Sequence, residues 1–101
     1  MTIHILGESY QVKFVTGLIE RDGIEGYCEA HKFLICIDSS LKKNPRVFRR
    51  VLLHEICHAY AYESGLHEVL SGQSLEQFAQ TMSSLIDKLH PQLKRLNLAR
   101  A

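Results

Sequence analysis

The sequence predicts an α+β domain in which a small antiparallel or mixed sheet from the N-terminal half packs on a central helix and a second, C-terminal helix. Three observations carry this expectation. In residues 10 to 15 the apolar Tyr10, Val12 and Phe14 alternate with Gln11 and Lys13, the period of a half-buried strand. From Pro45 onward the pattern becomes helical. Leu75, Phe78, Ala79, Met82, Leu85, Ile86 and Leu89 then form one stripe at helical spacing. At 101 residues, 46% hydrophobic and 23% charged, the chain (1–101) is expected to be a single globular domain with one modest core.

Residues 2 to 6 and 10 to 15 flank Gly7-Glu8-Ser9, which suits a tight turn between two strands. Residues 16 to 24 hold two glycines and an Asp22-Gly23 pair, so a connection with at most one helical turn is expected. Residues 25 to 29 and 33 to 38 form a second hairpin turning near Ala30-His31-Lys32. The run Phe33-Leu34-Ile35-Cys36-Ile37 is apolar enough to be covered on both faces. Asn44 can cap a helix that Pro45 begins; it should run to about residue 64, where Gly65 stops it. A loop over 66 to 73 follows. Ser74 caps a helix over 75 to 89, His90-Pro91 ends or kinks it, and 92 to 101 form a short helix or frayed tail.

With 12 basic and 11 acidic residues, net charge +1 argues against binding nucleic acid or a membrane surface through bulk charge. The first residues lack the basic region of a signal peptide, and no apolar run could span a bilayer, so a cytoplasmic location is expected. Cys28, Cys36 and Cys57 are odd in number and lack C-x-x-C spacing, which suits free thiols; a Cys28–Cys36 bridge across the second hairpin is the minor alternative. Lys42, Lys43, Arg46, Arg49 and Arg50 cluster at the start of the central helix. They are expected to form a solvated face, although positive charge there opposes the helix dipole and would suit an anion.

His54-Glu55-Ile56-Cys57-His58 carries the chemistry. Two histidines four apart stand on one helix face, so both imidazoles can reach one tetrahedral zinc ion with bonds of about 2 Å. Glu55 stands about 100° further round, beside the metal, where it can take a proton from water instead of acting as a ligand. Val47, Val51, Leu52, Leu53, Ile56, Cys57, Ala59 and Ala61 surround the motif, so the helix is expected to be buried. Two histidines and a glutamate buried there need a partner, and a metal is the natural one.

A third ligand is required, and Glu76, His67, Glu68, Glu63 and Asp87 can each supply it. A third histidine at the H-x-x-G-x-x-H spacing is excluded, because position 61 is Ala and position 64 is Ser. Glu76 is preferred, since packing of the apolar stripe on the central helix carries it to the metal, and an early helical position favours a carboxylate. His67 comes next.

His54-Glu55-Ile56-Cys57-His58-Ala59 followed by Leu75-Glu76-Gln77-Phe78-Ala79 resembles the minimal gluzincin-type metallopeptidases, including the ImmA/IrrE-like domains of phages and mobile elements. The resemblance covers roughly residues 33 to 89; its first motif is specific and its second weak. It implies a zincin-like core with His54, His58 and Glu76 as ligands and Glu55 as catalytic acid/base. Cys57 departs from the glycine frequent there, so close packing of helix on sheet is expected to differ.

The expected function is a zinc-dependent hydrolase acting on a peptide or protein, with Glu55 activating the attacking water. Tyr60, Tyr62, His67 and His31 are possible donors to the developing oxyanion, and Tyr62 ranks first because it falls on the Glu55 side of the helix. The strand over 33 to 38 is the candidate edge for an extended substrate, unless it is central and pairs only with its neighbours. A zinc-stabilised binding module with latent or no activity, and a histidine pair without metal, are the competing readings.

Overall fold

The structure, a computed structural model, describes residues 1 to 95. Of the tail expected over 92 to 101, positions 96 to 101 lie outside the described residues. Strands β1 (Thr2–Ile5), β2 (Glu8–Val15), β3 (Gly26–Glu29) and β4 (Leu34–Asp38) form one mixed sheet in the order β1-β2-β4-β3. The helices are α1 (Leu18–Asp22), α2 (Pro45–Glu63) and α3 (Gly72–Arg95), with short 3-10 turns over Ala30–Lys32, Ser39–Lys43 and Leu66–Glu68. The fold is α+β, with the sheet contributed by the N-terminal half and packed against helices.

The first hairpin turns on Leu6 and Gly7, one residue earlier than the sequence suggested. Both have positive φ (48° and 88°), which matches a two-residue turn whose twist suits the flanking strands. β2 then pairs parallel with β4, the connection passing through α1 and the antiparallel strand β3. Val12 and Ile35 are register partners, as are Phe14 and Ile37. One face of the sheet gives Ile5, Tyr10, Val12, Ile35 and Ile37 to the core, joined by Leu41, Val51 and Ala59 from the helical side. Ile35, Cys36 and Ile37 are all buried, as the unbroken apolar run predicts.

β4 lies between β2 and β3, so the strand over 33 to 38 offers no free edge. The edge on that side is β3. Cys28 faces Ile35 in the register and Tyr27 faces Cys36; alternation therefore puts Cys28 and Cys36 on opposite faces of the sheet. All three cysteines are free.

Asn44 caps α2 as expected, its Oδ1 accepting from the Val47 N–H at 3.3 Å, with Pro45 at the first helical position. α3 departs further from expectation. Its cap is Ser71, whose Oγ accepts from the Ser74 N–H at 3.3 Å; the helix begins at Gly72 and continues through Pro91 to Arg95. Ala79 and Ser83 are buried, whereas Leu85, Ile86 and Leu89 are exposed. Arg49, close to the start of α2, pairs with Asp87 at 2.8 Å, so Leu89 in the following turn of α3 lies near the end of the helix that would cover it.

Asp38, which the sequence suggests only as a strand end, is buried and joins three elements. It accepts from the Ile19 N–H at 3.2 Å, from the Ser40 N–H at 3.0 Å and from the Ser40 hydroxyl. These bonds, the Ser40 hydroxyl first, hold its carboxyl below the usual range against the opposing effect of burial. No helix among the described residues is long and apolar enough to cross a membrane.

Candidate metal centre

α2 places His54 and His58 one turn apart, with ring centroids 5.0 Å from each other. α3 crosses this turn and brings in Glu76. One carboxylate spans both imidazoles: His54 Nε2 is 2.7 Å from Glu76 Oε1, and His58 Nε2 is 3.0 Å from Glu76 Oε2. The three donor atoms lie within 4.8 Å of one another. Two ligands on a tetrahedral zinc with bonds of about 2.0–2.1 Å are separated by roughly 3.3 Å. Small side-chain shifts therefore fit this donor set to an ion, and two nitrogens with one carboxylate oxygen suit zinc chemistry.

Burial pushes the His58 imidazole pKa down, against the pull of Glu76, and so favours the neutral form that a ligand must have. Glu55 is 7% exposed. Burial pushes its carboxyl up to about 7; His54 opposes the shift and Glu76 adds to it. Glu76 itself sits past the first turn of α3, so packing against α2 positions it, and the helix terminus contributes little.

Among the described residues the other possible third ligands lie outside this converging group. Glu63 Oε2 accepts from the Tyr10 hydroxyl at 2.6 Å, and Asp87 pairs with Arg49. Glu68 is exposed in the 3-10 turn after α2. His67 stacks on Tyr62, with ring centroids 4.7 Å apart at 24°. Tyr62 lines the same groove as His58 and Glu55; Tyr60 and His31 line neither of its cavities. Three of the five clustered basic residues have partners within the chain: Arg49 pairs with Asp87, Arg50 with Glu25, and Lys42 lies over the Phe14 ring.

Two cavities of about 430 and 440 Å³ meet at this site, sharing Ile24, Gly26, His54, Glu55 and Glu76. β3 forms their common border. The bond from the Asp38 N–H to the Glu25 carbonyl sets the phase of the β3–β4 ladder. By alternation, residues 25, 27 and 29 turn toward β4 while Gly26 and Cys28 present N–H and C=O outward.

Gly26 had no role in the sequence reading. A Cβ there would lie 2.8 Å from the Cys36 carbonyl oxygen and 3.1 Å from Val51 Cγ1, so glycine lets α2 approach the sheet. The closest approach of α2 to the sheet is thus made at Gly26 of β3. Cys57 is buried, and burial pushes its thiol pKa up. A glycine inside a strand is a signal for such an approach, and it was present in the sequence.

No protein-family model matches the chain, and neither a curated protein nor a solved structure is detectably similar to it.

Proposed function

We propose that the protein is a zinc-dependent hydrolase of peptide bonds, of the minimal gluzincin kind that its two motifs resemble. The convergence of His54, His58 and Glu76 beside Glu55, in a groove bordered by an open strand edge, carries this reading. A closed structural zinc site takes four protein ligands; among the described residues three donors converge, which favours a site with one position open. When bound, zinc polarises a carbonyl and brings the pKa of water toward neutrality.

The chain's own residues supply the rest. Gly26 and Cys28 can pair with an extended peptide through their outward N–H and C=O groups and hold it across the groove. A Glu55 carboxylate oxygen takes the proton of the attacking water and returns it to the leaving amine nitrogen. Tyr62, on the same groove, is the proposed hydroxyl donor to the developing oxyanion.

The test compares wild type with Glu55→Gln. Both should hold about one equivalent of zinc, while cleavage of an unfolded test protein falls by roughly 10²–10⁴-fold in the variant. Equal cleavage by the two proteins, or none by wild type, would refute hydrolysis at this site.

A further inference from the structure

The two cavities differ in chemistry. One is walled by Glu25, Arg50, Gln80, Ser83 and Ser84, a charged and hydrogen-bonding lining. The other extends past His58 to Ala30, Ala61, Tyr62, His67 and Leu75. Tyr62 and His67 stand face to face in that second cavity, the tyrosine from the last turns of α2 and the histidine from the 3-10 turn that follows. Stacking restrains both rings and makes a flat wall from residues on two elements. His67 Nδ1 is enclosed, with no hydrogen-bond partner among the described residues, so the ring meets the cavity through its face.

We infer that the Tyr62–His67 pair is the wall of a side-chain subsite selecting an aromatic or large apolar residue immediately N-terminal to the bond cut. The inference rests on the hydrolase reading and names the substrate class for that site. β3 runs from the first cavity, where Gly26 meets Val51, toward the second, where Ala30 lies with Ala61 and Tyr62. A peptide paired antiparallel to β3 runs the other way. It enters over the aromatic wall, crosses His54, Glu55 and Glu76, and leaves beside Arg50. The residue before the cut therefore lies against the two rings and Leu75.

The probes are N-acetylphenylalanine hydroxamate and N-acetylglycine hydroxamate, which differ in one side chain. Calorimetry on the zinc-loaded protein should give at least about tenfold tighter binding of the phenylalanine ligand, as expected for burying one aromatic side chain. Tyr62→Phe keeps the ring and should keep the preference; Tyr62→Ala should reduce it to within about twofold. In metal-free wild type, NMR should show the phenylalanine ligand shifting the Tyr62 and His67 ring resonances while the glycine ligand leaves them in place. Equal affinity for the two ligands, a preference that survives Tyr62→Ala, or unmoved ring resonances would overturn the subsite. Failure to take up zinc would overturn the hydrolase reading alone, because the ring shifts in metal-free protein report on the wall independently.

Discussion

Replacing Glu76 with alanine separates metal binding from folding, because the site's geometry makes the two effects unequal. In the metal-free protein Glu76 contacts two imidazoles, yet its side chain is 61% exposed. Such solvated pairs contribute about 0–1 kcal/mol, so the metal-free variant should melt within a few degrees of wild type. Metal changes the comparison. Zinc free at 100 times its Kd stabilises the folded state by about 2.7 kcal/mol. For a domain of this size that is a rise in Tm of about 11–22 °C, taking about 4–8 °C per kcal/mol. Glu76 is one of three converging donors, and its loss should weaken zinc at least about 100-fold, since even residues behind the ligands are worth about 10–100-fold. At the same free zinc the variant then gains only about 0.4 kcal/mol, a shift of about 2–3 °C. Differential scanning calorimetry at buffered free zinc reads both quantities. An equal zinc-induced shift in variant and wild type would show that Glu76 is not a ligand. No shift in wild type would remove the metal from the account.

Three further outcomes follow from the fold. Tyr10→Phe deletes the 2.6 Å bond from a fully buried ring to Glu63; because Glu63 is half-buried and can rehydrate, the loss should be about 1.5 kcal/mol, near the low end for a charged partner. Urea unfolding of Tyr10→Phe, Glu63→Ala and the double variant checks it, and additive effects would mean that the bond contributes nothing. Gly26→Ala should cost about 1–3 kcal/mol, because the new Cβ meets a main-chain oxygen that cannot rotate away; an unchanged urea midpoint would refute the close approach. Asp38 has a lowered pKa in the folded state, so its stabilising effect is complete above the unfolded carboxylate pKa of about 3.9 and is lost as pH falls through the lower folded value. Asp38→Asn should therefore flatten the acid side of a stability–pH profile, and an unaltered acid slope would contradict this assignment.

Local chemistry explains which elements were legible in the sequence. Asn44-Pro45 marks the start of α2 through groups that act within one turn, and the alternation around Tyr10, Val12 and Phe14 needs only the period of a strand. Positions that depend on distant partners were less legible. Ser74 suits the cap of a helix whose apolar stripe starts at Leu75, yet the chain turns into the helix three residues earlier, at Ser71. Leu85, Ile86 and Leu89 belong to the apolar stripe, but helical spacing does not say where the covering helix ends. Position 26 is a plain glycine until α2 is laid across it.

The sequence by itself determined the α+β class and the spacing that sets His54 and His58 on one face of α2. Both follow from periodicities of the backbone, which are properties of each segment alone. Only the tertiary structure decided that β3 instead of β4 is the free edge, that Glu63 and Asp87 are engaged elsewhere, and that Glu76 spans the two imidazoles. Those facts depend on strand order and on how far α3 slides along α2. Such relations are fixed by burial summed over the whole core, so no single motif encodes them.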